Sequence, residues 1–221
     1  EDLDNFALES HQKAAHATES KYFDREILPV EGKNAEGIDD LVLADEGIRF
    51  DASIDKLAGL KPVTEGGVIT AGNASQITDG AAAVMICNDA GLKKIQSNPR
   101  AEIVSISVVG DDPVFMLTGP IPASFKALEA ANLSIDDMDL YEVNEAFAPV
   151  PLAWAKDLKA DKLKLNVNGG AMALGHPLGA TGAKLMTTLL YEMERREAVY
   201  GLQAICEGGG TANATIIKRI S

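Results

Sequence analysis

From residue 100 to the end of the chain, short apolar segments alternate with longer segments whose apolar residues recur at helical spacing. Strands that alternate with helices predict an α/β layer. The last two apolar segments flank three consecutive glycines, which predicts a terminal β-hairpin and therefore a mixed sheet. The predicted strands are Ile103–Val109, Leu140–Val143, Leu165–Val167, Ala204–Cys206 and Ala214–Lys218, and the predicted helices are Pro122–Ala131, Glu145–Leu158 and Ala180–Arg196.

The first sixty residues have a less regular pattern. Apolar residues at helical spacing predict a helix over residues 3–20, on which His11 and His16 are expected to lie in solvent. Polar residues interrupted by Pro and Gly then predict loops with short helical or extended pieces over residues 24–60.

An apolar run follows the sequence Asp79-Gly80. Its residues, Ala81–Cys87, are numerous enough for a buried strand, and Cys87 is therefore predicted to lie in the core. A helix is predicted after it, over Asp89–Ser97, because Pro99 ends the helical pattern.

Charge and cysteine content narrow the classes of partner. The net charge is −13, and the first 55 residues hold 15 acidic side chains against 5 basic ones. An acidic surface repels phosphate backbones, so no nucleic-acid partner is expected. No apolar run approaches the roughly 18 residues that a membrane-spanning helix needs, so no membrane span is expected. Two cysteines cannot form a disulfide framework, which favours a reducing compartment such as the cytoplasm.

Three side chains of candidate chemistry lie in or beside loop segments. His176 lies in a Gly-rich turn before a helix, Cys206 precedes three glycines, and Asn144 follows a predicted strand. Each has a structural alternative, since a free Cys is most often a small buried hydrophobe and Asn is a good helix N-cap. Glycine, however, lets backbone N–H groups approach a ligand, and a thiol beside such donors can exchange protons while an oxyanion forms. We therefore predict that the three residues form one active site.

Other sites that use glycine, His or Cys do not fit. The stretch 175–182 lacks the gap and the following Ser or Thr of a phosphate-binding loop, and it lacks the dinucleotide fingerprint. One His and one Cys without carboxylates at ligand spacing do not form a zinc site, so no metal is predicted.

Five motifs, in this order along the chain, resemble the thiolase family, which includes acetyl-CoA acetyltransferases and 3-ketoacyl-CoA thiolases. They are Gly72-Asn73-Ala74-Ser75 with Asp79-Gly80-Ala81-Ala82, Gly119-Pro120-Ile121-Pro122-Ala123, Asn144-Glu145-Ala146-Phe147-Ala148, Asn168-Gly169-Gly170-Ala171 running into Gly175-His176-Pro177-Leu178-Gly179-Ala180-Thr181-Gly182, and Cys206-Glu207-Gly208-Gly209-Gly210. The resemblance covers the whole chain and implies a thiolase-like layered α/β fold with a mixed sheet. It implies that residues 1–75 are a loop domain covering the CoA site, 76–99 the last elements of the N-terminal catalytic domain, and 100–221 the C-terminal catalytic domain.

The resemblance also implies a reaction, the making or cleaving of 3-ketoacyl-CoA by Claisen condensation or thiolysis. In the family a nucleophilic Cys takes the acyl group. His176 matches the residue that activates this nucleophile, and Cys206 matches the acid/base at the substrate α-carbon or CoA thiol. Asn144 matches the residue that positions a water in one oxyanion hole, and Gly208 matches a backbone donor of the other. The matches to CoA-contacting positions and to the neighbourhood of the acyl pocket are Ser75, Arg49 and Phe147.

The resemblance implies coenzyme A as a substrate, no permanently bound cofactor, and a homo-oligomer, either a dimer or a tetramer. The family's nucleophilic Cys lies N-terminal to everything present, so we expect a longer polypeptide and an isolated chain without activity. The alternative is a non-catalytic fragment that binds CoA or a partner, or one subunit of a two-chain thiolase. A decarboxylating ketoacyl synthase shares the fold, but it would have His where Asn144 and Cys206 stand.

Overall fold

The helices and strands are taken from a computed structural model that describes residues 1–33 and 36–220. Residues 34, 35 and 221 lie outside this part, and the first two belong to the region where loops are predicted. The helices are α1 (Asp2–Glu19), α2 (Ile54–Ala58), α3 (Asp89–Ile95), α4 (Pro120–Ala131), α5 (Pro149–Leu158), α6 (Ala171–Leu174) and α7 (Thr181–Arg195). The strands are β1 (Val30–Lys33), β2 (Asp39–Val42), β3 (Ala101–Gly110), β4 (Leu140–Val143), β5 (Tyr200–Cys206) and β6 (Thr211–Arg219).

Four of these strands form one sheet in the order β3-β6-β5-β4. β4 and β5 are parallel, whereas β6 pairs antiparallel with both of its neighbours. This confirms the α/β class, the mixed sheet and the terminal hairpin. Val143 pairs with Ala204, so the carboxyl ends of β4 and β5 lie side by side. Asn144 and Cys206 therefore emerge at the same edge of the sheet, where α/β folds commonly place a site.

Helices cover both faces of this sheet. On one face α4 and α5 pack, and Trp154 meets Tyr141 edge to face with 5.2 Å between ring centroids. On the other face α7 packs, with Leu189 in the same apolar cluster as Leu140. Successive residues of a strand point to opposite faces, so β4 contributes to both cores and is buried throughout.

The first helix is present as predicted, but one of its histidines is not in solvent. Phe6 and Ala7 of α1 pack into the main apolar core. His11 is only 6% exposed, and its Nδ1 accepts a hydrogen bond from the backbone N–H of Arg49 at 3.1 Å. The prediction for His11 is therefore wrong, because a loop distant in sequence covers that side of the helix. His16 is exposed, as predicted.

The buried strand predicted over Ala81–Cys87 is wrong. These residues form neither helix nor strand and are all exposed, with Met85 at 75% and Ile86 at 71% exposure. A strand needs a neighbour for its backbone N–H and C=O groups, and no strand among the described residues pairs with this run. Cys87 is consequently exposed rather than in the core. The helix predicted next is present as α3.

Two further predicted elements are shorter in the structure. The helix predicted over Glu145–Leu158 begins only at Pro149, which occupies a first-turn position where its missing N–H carries no cost. Before it the chain runs beside another segment, and the Ala146 carbonyl accepts the Ser75 N–H at 2.9 Å. The strand predicted over Leu165–Val167 is reduced to isolated bridges.

Candidate active site

His176 is held by a turn between α6 and α7. Its backbone N–H donates to the carbonyl of Gln76 at 3.1 Å, and the Lys184 ammonium of α7 donates to the carbonyl of Leu174 at the end of α6. Gly175 has a φ of 84°, and a Cβ there would lie 2.4 Å from Thr78 Oγ1. Both the left-handed backbone and the close approach require glycine at this position.

The contacts of the imidazole indicate its tautomer. Nδ1 lies 2.6 Å from Thr181 Oγ1, and the Thr181 hydroxyl donates to the Pro177 carbonyl at 3.0 Å. Because that hydroxyl proton is directed to Pro177, we assign the ring proton to Nδ1, which donates to Thr181. This assignment leaves Nε2 of His176 unprotonated, so its lone pair can accept a proton.

The environment of His176 also keeps the ring neutral. Desolvation lowers its pKa, and the nearby Lys184 ammonium lowers the pKa further. A neutral imidazole with a free Nε2 is the form required of a general base near pH 7.

Asn144 joins the histidine turn to the end of the sheet. It is fully buried, and its backbone N–H continues the parallel ladder by donating to the Ala204 carbonyl at 3.0 Å. Its side-chain Nδ2 faces His176 Nε2 at 3.4 Å, and its amide also interacts with the Cys206 thiol. The helix α5 begins five residues later, after Ala148, so Asn144 is not the N-cap of that helix.

Cys206 ends β5 and is 8% exposed. The pKa of its thiol is raised to about 11, chiefly by burial and in part by the Glu207 carboxylate, while a backbone hydrogen bond at Cys206 and the Asn144 side chain oppose the shift. The sulfur belongs to a small apolar cluster with Ala146 and Val150, against which Leu117 and Phe147 also pack. A thiol in this environment is protonated near neutral pH, which suits a proton donor and disfavours a resting thiolate nucleophile.

The glycine turn after Cys206 has two different halves. Gly210 has a φ of 84°, and a Cβ there would lie 2.6 Å from the Asp111 carbonyl oxygen, so its glycine is required by packing. At Gly208, by contrast, a Cβ would meet no atom within 4 Å. The Glu207 carboxylate accepts a hydrogen bond from Asn213 Nδ2 at 2.6 Å, which ties it to the hairpin.

The structure brings two of the three predicted CoA and acyl contacts to this edge. Ser75 donates its backbone N–H to Ala146, and the adjacent Ala74 pairs with Phe147 in an isolated bridge. Arg49 is exposed; its backbone N–H donates to His11 Nδ1 and its carbonyl accepts from the Ala52 N–H, both at 3.1 Å. No contact among residues 1–33 and 36–220 joins the Arg49 side chain to the other predicted site residues.

Three residues that support the site were not identified from the sequence. Thr181 orients His176, and its place five residues later at the start of a helix was an available signal. Gln76 donates from Nε2 to the carbonyls of Gly47 and Met172, both at 2.7 Å, and so connects the first segment of the chain to α6. No local pattern marks it.

The third is Glu145, which is 1% exposed. Its carboxylate accepts hydrogen bonds from Ser10 Oγ at 2.7 Å, Asn166 Nδ2 at 2.9 Å and the Met172 N–H at 3.2 Å. A Cβ on Gly170 would lie 2.3 Å from its Cδ. Glu145 therefore links α1, α6 and the end of β4, and it is packed away from the thiol and imidazole.

The described residues contain neither a metal-binding group nor a helix that could cross a membrane. Within 1–33 and 36–220, no three His, Cys, Asp or Glu side chains are grouped so that they could hold a metal ion. None of the described helices combines the length and the apolar character needed to cross a membrane.

Comparison with known proteins gives consistent matches over the chain. Residues 1–90 match the family model described as Thiolase, N-terminal domain, and residues 97–219 match Thiolase, C-terminal domain. A steroid 3-ketoacyl-CoA thiolase of Mycobacterium tuberculosis is 53% identical over 220 residues, which cover 100% of this chain and 53% of that protein. A 3-ketoacyl-CoA thiolase of Serratia proteamaculans is 45% identical over 98% of this chain and 57% of its own length.

Solved structures show the same relationship. The acetyl-CoA acetyltransferase of Bacillus anthracis superimposes with a TM-score of 0.94 at 42% identity, over 99% of this chain and 56% of that one. Human mitochondrial 3-ketoacyl-CoA thiolase gives a TM-score of 0.95 at 43% identity, over 100% and 55%. The chain thus spans about half the length of the relatives it matches. The C-terminal family model alone matches more than half of this chain, and the chain therefore belongs to the thiolase family.

Proposed function

We propose that this chain is the CoA-covering and C-terminal part of an acyl-CoA C-acyltransferase that makes or cleaves 3-ketoacyl-CoA. The observation that carries the proposal is the convergence of His176, Asn144 and Cys206: Asn144 Nδ2 lies 3.4 Å from His176 Nε2, and the Asn144 side chain is near enough to Cys206 to lower the pKa of its thiol. In the proposal, residues 1–75 are the loop domain, 76–99 complete the N-terminal catalytic domain, and 100–221 are the C-terminal catalytic domain.

His176 has the properties of the base that activates a nucleophile. Its Nε2 is unprotonated in the assigned tautomer and the pKa of the ring is lowered, so the ring accepts the proton of the attacking thiol. That thiol belongs to the part of the thiolase fold outside the 221 residues. After the acyl group has been taken as a thioester, the same protonated ring faces the thioester oxygen.

Cys206 is the proton carrier of the second half-reaction. When the acyl group is taken from acetyl-CoA, Cys206 gives its proton to the CoA thiolate that leaves. In condensation the resulting Cys206 thiolate removes a proton from the α-carbon of a second acetyl-CoA, and the carbanion attacks the enzyme thioester and expels the nucleophilic thiolate, which recovers its proton from His176. In thiolysis the direction reverses, and Cys206 returns the proton to the α-carbon. Asn144 holds a water beside the developing oxyanion, while the backbone N–H of Gly208 stabilises the oxyanion next to Cys206.

Substrate binding falls to the segment that crosses the edge of the sheet. Coenzyme A is the substrate in this proposal, with Ser75 and Arg49 contacting it and Phe147 beside the acyl group. Support for Phe147 comes from its packing against the cluster that contains Cys206. We further propose that the whole protein forms a dimer or tetramer and works in a reducing compartment, the cytoplasm, consistent with two free cysteines.

The alternative makes this chain a partner-binding subunit of a two-chain thiolase, and one observation fits it as well as it fits a longer single chain. The run 81–87 exposes Val84, Met85 and Ile86 to solvent, and a second chain that supplied a neighbouring strand would cover them. Such a chain would carry the nucleophile, and activity would appear only on mixing.

The test is thiolysis of acetoacetyl-CoA by the protein at its full natural length. His176→Ala should lower kcat by at least about 10²-fold, the lower range for loss of a general base, with a smaller effect on CoA affinity. His16→Ala is the matched control, because His16 is exposed on α1. Near-normal kcat in His176→Ala would remove His176 from the mechanism. Full-length protein that binds CoA by calorimetry but shows no turnover would favour the non-catalytic alternative.

A further inference from the structure

A small cavity lies between the carboxyl end of β4, the segment 169–175 and α7, and the fully buried Asn144 lines it. Its volume is about 10 Å³, at the lower bound of what one water molecule requires. Glu142 of β4 and Asn144 just after it form one wall, Thr181, Lys184 and Thr188 of α7 form another, and residues between 169 and 175 complete the lining. The cavity thus adjoins the two residues that contact the His176 ring, Asn144 and Thr181.

Two buried acceptors on this wall have no hydrogen-bond donor among the described residues. They are Oε2 of Glu142, a residue 2% exposed, and Oδ1 of Asn144, which is fully buried. Buried polar atoms in proteins nearly always have a partner, either protein or ordered water. Two such atoms on one cavity wall indicate a shared polar ligand.

The charges on the wall indicate that this ligand is neutral. Lys184 lines the cavity and its ammonium donates to the carbonyl of Leu174, another lining residue, so a second cation would be repelled. Burial raises the pKa of the Glu142 carboxyl well above its usual range, and the nearby Glu145 carboxyl acts in the same direction, which favours the protonated form of Glu142. A protonated carboxyl donates one hydrogen bond, which water can accept while donating to Asn144.

We propose that this cavity holds one ordered water molecule that links the Glu142 carboxyl to Asn144 Oδ1, and that Glu142 is a positioning residue for the Asn144 amide. The two orientations of an Asn amide differ only in the exchange of oxygen and NH₂. A water that donates to Oδ1 fixes the NH₂ on the side of His176 and Cys206. With the amide reversed, its oxygen would face the Nε2 lone pair, and the thiol of Cys206 would lose its donor. The catalytic consequence rests on the proposed thiolase function.

The test compares Glu142→Gln, whose amide NH₂ can still donate to the water, with Glu142→Leu, which cannot. In the full-length protein, Glu142→Leu should lower kcat by about 10-fold or more and leave KM within about 2-fold, since misplacing one group can cost up to about 10²-fold. Glu142→Gln should remain within about 3-fold of the natural protein. Gln203→Met is the control, because Gln203 is the buried neighbour of Glu142 across the parallel strands but does not line the cavity.

Two readouts do not depend on turnover. A high-resolution crystal structure of the natural protein should show the water between Glu142 and Asn144, and the Glu142→Leu structure should lack it. Alkylation of Cys206 at fixed pH should slow by several-fold in Glu142→Leu only, because the reversed amide no longer stabilises the thiolate. A natural structure without the water, or Glu142→Leu with unchanged kcat and unchanged alkylation, would overturn the inference. If no variant has thiolase activity but the water and the alkylation change are found, the proposed function fails and the positioning role stands.

Discussion

Because the pKa of Cys206 is raised, we expect its thiol to react slowly with alkylating reagents in the folded chain. Iodoacetamide alkylates the thiolate, and folding moves the pKa of this thiol from the ordinary 9.0 to about 11. At pH 8 the thiolate fraction of Cys206 should therefore be about 100-fold smaller in the folded chain than in the unfolded chain. Burial of the sulfur at 8% exposure can only slow the reaction further.

The assay is alkylation of the purified chain over pH 7 to 10, with peptide mapping by mass spectrometry to follow each thiol separately. The same chain unfolded in urea is the reference, because there Cys206 has no folded environment. Cys87 is the internal control, since its exposure predicts rapid modification in both states. In the folded chain the Cys206 rate should rise about tenfold per pH unit over the whole range.

Two results would refute this reasoning. The first is modification of Cys206 at pH 8 in the folded chain at a rate within a few-fold of the unfolded chain. The second is a Cys206 rate that reaches a plateau below pH 9, because a plateau marks the pKa. Either result would mean that the donors around the sulfur, Asn144 among them, offset its desolvation and that folding does not raise the pKa of Cys206 to about 11.

Two further predictions concern other ionisable and polar contacts. Burial raises the pKa of the Glu26 carboxyl from 4.5 to about 7, so the folded state binds this proton more tightly than the unfolded state. The stability that the bound proton gives the folded state is complete below about pH 4.5 and is lost as the pH rises through 7. Glu26→Gln should remove this loss, so urea unfolding should show natural protein and variant diverging by about 2–3 kcal/mol between pH 4.5 and 8, and parallel pH curves would contradict the shift. In the full-length protein, Thr181→Val should lower kcat by about 10-fold or more, because His176 loses the acceptor that fixes its tautomer. Thr181→Ser keeps the hydroxyl and should retain activity. Equal activity of the two variants would contradict the tautomer assignment.

Much of the fold could be predicted from the chain alone because its elements are defined locally. The glycine run 208–210 between two apolar segments was sufficient for the hairpin of β5 and β6. Helical spacing was sufficient for α1, α4 and α7, within a residue or two at most ends. The motifs around His176, Asn144 and Cys206 were sufficient to select the candidate site, because glycine-flanked chemical groups at the ends of elements are uncommon in packed cores.

Other features depend on contacts between residues distant in sequence, which no local pattern contains. The run 81–87 has the composition of a buried strand, but no described strand accepts its backbone hydrogen bonds, so it is exposed. His11 has the position of a surface residue, yet the Arg49 loop covers it. The helix predicted from Glu145 begins at Pro149, because the residues before it run beside Ser75.

The chain by itself therefore determined the fold class and the identities of the groups at the site. Only the tertiary structure decided the protonation and tautomeric states of these groups. The pKa of Cys206 depends on its burial beside Asn144, and the tautomer of His176 depends on Thr181. The cavity behind Asn144 depends on how α7 packs against β4. Hydrogen bonds and desolvation act over a few ångströms in space, and hydrogen-bonded residues here are separated by up to 162 positions in sequence.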